Sequence, residues 1–279
     1  MTAEPAPAAM ARHSGGKTIV LIHGLWLSAA SWEQWVSRYA DRGHTVLTPE
    51  WPHMDADIET LRRNPSVMAG TGLLEIVDHY DKFIRDLDES PILMGHSFGG
   101  VIVQLLLDRS LGAAGVAIDP APVKGVYRLP ISALRAAFPV LSNPATRKRA
   151  VGLTEKQWHY AFCNTLSRDE SDVLHARYHV PTTGRPLWQA AFANLNPNAA
   201  TKVNLSNDHR APLLIIAGGA DHTAPPALNR ENFKRQSKSR SLTEYKEFAG
   251  RPHFTGGVPG WEAVADYALD WSLRNTNGA

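Results

Sequence analysis

Cysteine is nearly absent from this chain of 279 residues: Cys163 is the only one. No intrachain disulfide can form from a single thiol, so the fold must be stabilised by its apolar core. A chain without disulfides suits a reducing compartment, and we expect a cytoplasmic protein. Cys163 falls in an apolar helical pattern, which predicts a buried and unreactive thiol.

Long apolar runs are also missing. Residues 1–16 are rich in Ala and Pro and lack the apolar stretch of about 7–15 residues that a signal peptide requires, so we expect a disordered tail there. No segment approaches the ~20 apolar residues of a membrane span. The sequence therefore predicts no membrane partner.

The chain also has no large excess of positive or negative charge. Lys and Arg number 29 against 27 Asp and Glu, which leaves a formal net charge of +2. No basic stripe with interleaved aromatic residues occurs, so we expect no nucleic-acid partner. The composition leaves a small-molecule substrate as the expected partner and leaves the oligomeric state open. With 43% apolar residues, the chain has ample material for a core.

Strand and helix patterns alternate over most of the chain. Short apolar, β-branched runs predict six strands, at 18–22, 44–48, 91–94, 113–118, 212–217 and 242–248. Such alternation is typical of an α/β protein with a mostly parallel sheet flanked by helices. Between the fourth and fifth strands the patterns are helical only, at 131–141, 153–166, 169–178 and 187–195. We therefore predict a core of 17–122 and 211–279, with 123–210 inserted as a helical cap.

The pentapeptide Gly95-His96-Ser97-Phe98-Gly99 lies between the third predicted strand and an apolar helix. This is the G-x-S-x-G pattern in its strand–turn–helix context. A sharp turn there needs small residues at 95 and 99, because a side chain at either position would meet backbone. The turn projects the Ser97 hydroxyl from the carboxyl edge of the sheet, where α/β sheets bind ligands. We predict that Ser97 is a nucleophile.

A second loop follows the first predicted strand, at His23-Gly24-Leu25-Trp26. In acyl transfer the attacked carbonyl oxygen becomes an anion and needs donors already directed at it. The backbone N–H groups of Leu25 and Phe98 are the two we expect to form this oxyanion hole.

The chain resembles the α/β-hydrolase superfamily in three features: the strand ending in His23-Gly24, the turn around Ser97, and a late Asp and His. The resemblance covers nearly the whole chain from Lys17. It implies the α/β-hydrolase fold, here with about six strands. It also implies a catalytic triad in the chain order Ser, acid, His, with the active site between sheet and cap.

Two late loops supply the rest of that triad. His253 follows the sixth predicted strand and is the candidate base, which takes the Ser97 proton and returns it to the leaving group. Asp221 follows the fifth strand, the usual position of the acid in the resembled family. Asp119, at the end of the fourth strand, is the alternative acid, because some relatives place theirs there.

The predicted cap is rich in aromatic residues, and a helical cap over a sheet edge creates a mostly apolar pocket. From these and the His-Gly loop we select Trp26, Trp158, Phe162 and Tyr178 as candidate substrate contacts. His175 and His179 share a helical face, but no supporting carboxylate is evident, so we expect no metal site. The proposed acyl transfer requires no cofactor.

These residues predict a serine hydrolase that cleaves a small, largely apolar carboxylic ester or lactone. Other chemistry on the same triad stays open: C–C bond hydrolysis, hydroxynitrile cleavage, and perhydrolase or non-heme peroxidase activity. A non-catalytic ligand-binding protein of the same fold is the alternative from a different class. The exact substrate is not readable from the sequence.

Overall fold

The computed structural model describes residues 16–276. Its centre is a six-stranded sheet in the order β2-β1-β3-β4-β7-β8, with every neighbouring pair parallel. The strands are β1 (Thr18–Ile22), β2 (Thr45–Leu47), β3 (Ile92–His96), β4 (Ala114–Ile118), β7 (Leu213–Gly218) and β8 (Thr243–Phe248). The predicted α/β-hydrolase fold with about six strands is confirmed. Of the predicted tail at 1–16, only Gly16 is among the described residues.

The alternation of side chains along each strand divides the core into two layers. Ile19 and Leu21 of β1 pack on one face of the sheet, and Val20 and Ile22 pack on the other. Helices α1 (Glu33–Asp41) and α10 (Trp261–Asn275) cover the first face, and α3 (Leu73–Arg85), α4 (Phe98–Asp108) and α9 (Pro226–Gln236) cover the second. Because both faces are covered, the central strands are mostly apolar.

The chain between β4 and β7 forms four helices: α5 (Ile131–Leu141), α6 (Glu155–Phe162), α7 (Arg168–Tyr178) and α8 (Arg185–Ala191). A further short helix, α2 (Ile58–Arg63), precedes α3. The expectation that 123–210 contains no strand is wrong, since β5 (Ala150–Val151) pairs with β6 (Thr182–Thr183) in an antiparallel ladder. Two-residue strands are too short for any periodicity signal. The division of the chain into core and cap stays a prediction.

Two further expectations bear on the whole chain. Cys163 is fully buried, and burial raises the pKa of its thiol to about 12. Among residues 16–276, no helix is both long and apolar enough to cross a bilayer.

Candidate active site

Ser97 lies at the turn between β3 and α4, with a positive backbone φ of 56° and ψ of −116°. Such a conformation costs about 1–3 kcal/mol for a residue with a side chain, so the surrounding packing must impose it. A Cβ on Gly95 would lie 2.2 Å from the carbonyl oxygen of Gly99, and one on Gly99 would lie 2.1 Å from that of Ile22. The turn therefore accepts only glycine at these two positions, as the pattern predicted.

A continuous hydrogen-bonded relay joins three buried side chains. The Ser97 hydroxyl lies 3.0 Å from Nε2 of His253, whose Nδ1 lies 2.7 Å from Oδ2 of Asp221. The other oxygen of Asp221 accepts the backbone N–H groups of Thr223 at 2.6 Å and Ala224 at 2.9 Å. Since an imidazole with Nδ1–H donating to a carboxylate has its lone pair on Nε2, the ring is oriented to accept the Ser97 proton.

The backbone N–H groups of Leu25 and Phe98 are the two donors predicted to form an oxyanion hole. Within residues 16–276, neither donates a hydrogen bond to another atom of the protein. The two loops lie close together, because a Cβ on Gly24 would be 2.8 Å from Cβ of Ser97 and 3.4 Å from the nitrogen of Phe98. Two unpaired donors beside Ser97 are what the predicted oxyanion hole would require.

The loop bearing Leu25 is held by the small ladder that sequence analysis missed. Trp26, at φ 63°, donates its backbone N–H to Oγ1 of Thr182 and its indole N–H to the carbonyl of Val151, both at 3.0 Å. Its own carbonyl accepts the N–H of Val180 at 3.0 Å. Residues of β5 and β6 thus position the loop that bears Leu25, a contact across more than 120 residues of sequence.

Asp119 lies beside the relay without joining it. Its Oδ1 accepts the backbone N–H of Gly218 at 2.5 Å, and the structure contains no hydrogen bond between this carboxyl group and the ring of His253. Burial, and then the charge of neighbouring Asp221, raise the pKa of Asp119 well above its usual value. Of the two candidate acids, Asp221 is therefore the one paired with the imidazole.

His96 supports the loop that bears His253. Its Nε2 donates to the carbonyl oxygen of His253 at 2.7 Å, and burial lowers the pKa of the ring to about 3, so it is neutral. Ligand-type atoms of His96, Asp119 and His253 lie within 4.8 Å of one another. Both ring nitrogens of His253 are already used by Ser97 and Asp221, so we assign no metal to this group.

His175 and His179 are also engaged by the backbone. Nε2 of His175 donates to the carbonyl of Leu153, and Nε2 of His179 accepts the N–H of the same residue, both at 2.9 Å. Burial lowers the pKa of His179 to about 3. Both rings thus connect α7 and its C-terminal end to the backbone that precedes α6, and we assign them a structural role.

A cavity of about 120 Å³ opens beside Ser97 and is lined almost wholly by apolar atoms. Trp26 lines it, as we expected. The other three predicted contacts do not: Trp158 and Phe162 stack on each other with centroids 4.3 Å apart, and Tyr178 donates its hydroxyl to Glu33. Phe162 instead meets the ring of His253 edge-on at 5.0 Å.

Small and aliphatic residues of α5 and α8 form the wall of this cavity, and sequence analysis did not select them. They are Ala133, Leu134, Ala136, Ala137 and Leu141 of α5, and Leu187, Ala190 and Ala191 of α8. The alanines of two predicted helices could have indicated this cavity wall, because small side chains leave space for a ligand. We selected large aromatic residues as substrate contacts instead.

Comparison with known proteins agrees with this architecture. The monoacylglycerol lipase of Paleococcus ferrophilus matches with a TM-score of 0.68 and 21% identity, over 97% of this chain and 100% of that one. A thermophilic esterase from Thermogutta terrifontis gives a TM-score of 0.66 and 16% identity, over 96% and 93%. An extracellular alpha/beta-hydrolase from a Paenibacillus species gives 0.63 and 20%, over 91% and 98%. At such identities the likeness shows the fold.

A search of curated protein sequences finds no match. The model of the alpha/beta hydrolase family, in contrast, matches residues 19–267, which span both the turn at Ser97 and the loop at His253. On that match the chain belongs to the alpha/beta hydrolase family.

Proposed function

We propose that this protein is a serine hydrolase that cleaves small, largely apolar carboxylic esters or lactones. The observation that carries the proposal is the relay from Ser97 through His253 to Asp221, at a cavity lined by apolar side chains. A buried imidazole with one nitrogen on a serine hydroxyl and the other on a carboxylate is the arrangement that activates serine. The solved relatives described as a lipase and an esterase support the same reaction class.

In the first half-reaction, Ser97 Oγ attacks the substrate carbonyl while His253 Nε2 takes the hydroxyl proton. The N–H groups of Leu25 and Phe98 stabilise the oxyanion, and Asp221 stabilises the imidazolium. The C–O bond to the alcohol then breaks, and His253 gives the leaving oxygen its proton, which leaves an acyl-serine. In the second half, water attacks this ester with His253 again as base, and the carboxylic acid departs. Atoms and charges balance without a cofactor.

The cavity supports an apolar acyl group over a charged one. Its wall contains no Lys, Arg, Asp or Glu side chain. A carboxylate or ammonium group placed there would lose its hydration without gaining a partner, which is strongly unfavourable. We therefore infer selection for uncharged acyl chains, with length limited by the alanines of α5 and α8.

Labelling with a fluorophosphonate tests the nucleophile directly. The wild-type protein should take up the label and hydrolyse p-nitrophenyl esters, whereas Ser97→Ala should do neither while keeping its thermal unfolding temperature. Ser142→Ala, at an exposed serine, is the matched control and should behave as wild type. Unlabelled wild-type protein without esterase activity would indicate a ligand-binding protein, and labelling of Ser97→Ala would remove Ser97 from its role.

The substrate class is tested by a series of p-nitrophenyl esters of increasing acyl length, with lactones alongside. Replacing Ala137 by Phe fills part of the cavity and should shift the optimum towards shorter acyl chains. An unchanged optimum in this variant would show that the acyl group binds elsewhere.

A further inference from the structure

The segment between the fourth strand and α6 has an unusual distribution of charge. From Pro120 to Thr154 it contains no Asp or Glu. In the same 35 residues it carries Lys124, Arg128, Arg135, Arg147, Lys148 and Arg149. The chain as a whole is nearly neutral, so this segment concentrates positive charge that the remainder balances.

The structure leaves these six cations without carboxylate partners. None forms an ion pair with Asp or Glu within residues 16–276, although Arg38, Arg109 and other arginines of the protein do. The guanidinium of Arg135 lies over the ring of Tyr160 and that of Arg147 lies over Trp188, and both side chains stay exposed. The unpaired charge is therefore available to an anionic partner.

Large apolar side chains are exposed in the same segment. Ile131 is 84% exposed, Phe138 is 67% exposed, and Leu129 just before α5 is 61% exposed. Ile131, Leu134 and Phe138 are spaced three and four residues apart and so share one side of α5. Removing such a side chain from water gains about 1.5–3 kcal/mol, so an exposed row of them indicates a binding surface.

This surface adjoins the entrance to the active-site cavity. Leu129 and Leu134 are both partly exposed and line the cavity together with Ser97. The inward side of α5 contributes Ala133 and Ala137 to the same cavity. A partner seated on the outer side of α5 would thus lie next to the route into the site.

We propose that residues 124–149 form a surface that docks on an anionic lipid layer, with α5 lying along it. An apolar row on a helix flanked by unpaired Lys and Arg is the pattern of an interfacial helix, in which apolar side chains enter the lipid and cations meet its headgroups. The expectation of no membrane partner rested on the absence of a spanning segment, which does not bear on a peripheral contact.

A second copy of the chain fits this surface less well. In a two-fold symmetric contact the same patch faces itself, so the cations of one copy would oppose those of the other, and Glu231, the carboxylate beside Tyr127 and Arg128, is already paired with Arg235. An acidic protein would satisfy the charge, yet it would have to offer apolar pockets for Ile131 and Phe138 as well. A lipid layer supplies both requirements along its whole area.

Vesicle co-sedimentation tests the docking without relying on turnover, since it is carried out with the Ser97→Ala variant. We expect binding to vesicles of phosphatidylcholine mixed with phosphatidylglycerol, weaker binding to phosphatidylcholine alone, and release in high salt. Ile131→Glu with Phe138→Glu should abolish binding. Val173→Glu is the matched control, because Val173 on α7 is 66% exposed and lies outside the surface.

The charge contribution is measured with Arg128→Gln and Lys148→Gln together. Removing two cations should lower the partition coefficient roughly 25-fold, since each basic residue near such a surface contributes about a five-fold factor. Lys82→Gln with Lys156→Gln is the control, at exposed lysines on α3 and α6, and should bind as before. Circular dichroism verifies that each variant is folded. Each variant is also made with Ser97 intact, and hydrolysis of a short soluble ester by that version is a second check of folding.

The proposal is overturned if anionic vesicles do not bind the protein, or if the Val173 control loses binding as fully as the α5 variant. Binding to polyglutamate but not to vesicles would assign the surface to an acidic protein. A concentration-dependent dimer that only the α5 variant dissociates, without vesicle binding, would assign it to a second copy. None of these outcomes depends on whether Ser97 is a nucleophile.

Discussion

Replacement of Asp221 by Asn is the sharpest test of the relay, because the two oxygens of this carboxylate have different partners. One accepts the N–H groups of Thr223 and Ala224, and the other accepts Nδ1–H of His253. An asparagine has only one acceptor oxygen, and two backbone donors compete for it. The amide NH2 group is therefore expected to face Nδ1 of the ring, which must then accept, so that the proton moves to Nε2.

An imidazole protonated on Nε2 cannot accept the proton of Ser97. We expect kcat to fall about 10⁴-fold, the loss known for the same change in a serine protease triad, which corresponds to roughly 5 kcal/mol in the barrier. The unfolding free energy should change far less, since the side chains have nearly the same shape. The loss thus reports on tautomer and charge rather than on packing.

The assay is initial-rate hydrolysis of p-nitrophenyl acetate, with Asp119→Asn as the matched control. The asparagine oxygen at 119 can still accept the N–H of Gly218, and the control should retain more than a tenth of wild-type kcat. If Asp221→Asn kept most of its activity while Asp119→Asn lost it, the acid would be Asp119 and our interpretation of the relay would be refuted.

Three other results are expected. First, the folded-state pKa values of His96 and His179, both about 3, lie below the unfolded value of 6.5, so the unfolded chain binds more protons and stability falls as the pH drops from about 6.5 towards 3. The two groups together should cost roughly 3 kcal/mol between pH 6.5 and 5 in urea unfolding; a His179→Gln variant should lose about half of this dependence, and an unchanged slope would contradict the burial argument. Second, Cys163 should not react with Ellman's reagent until the protein unfolds, and rapid labelling of native protein would show that α6 opens. Third, Thr182→Val leaves the buried N–H of Trp26 without its acceptor, which should destabilise the fold by about 1–3 kcal/mol and lower kcat; an unaltered kcat would separate this contact from the loop that bears Leu25.

The local signals in the sequence were sufficient for the sheet and for the turn at Ser97. Runs such as Thr18–Ile22 are apolar because their strand is buried on both faces, and this burial is visible in composition alone. The glycines at 95 and 99 are required by backbone contacts within the turn and with the adjoining strand. The constraint on Gly95 comes from Gly99 in the same turn, whereas that on Gly99 comes from Ile22 on the neighbouring strand, so the G-x-S-x-G pattern reflects both a local and a tertiary contact.

Contacts between distant segments were decided only by the tertiary structure. Three features depend on how separate elements meet. They are the pairing of His253 with Asp221 rather than Asp119, the ladder of Ala150–Val151 with Thr182–Thr183, and the position of small residues around the cavity. The sequence alone predicted a nucleophile, a base and two candidate carboxylates at one edge of a parallel sheet. Which of the two carboxylates reaches the ring of His253 depends on how the strands that bear them pack together. Local sequence patterns do not specify that distance.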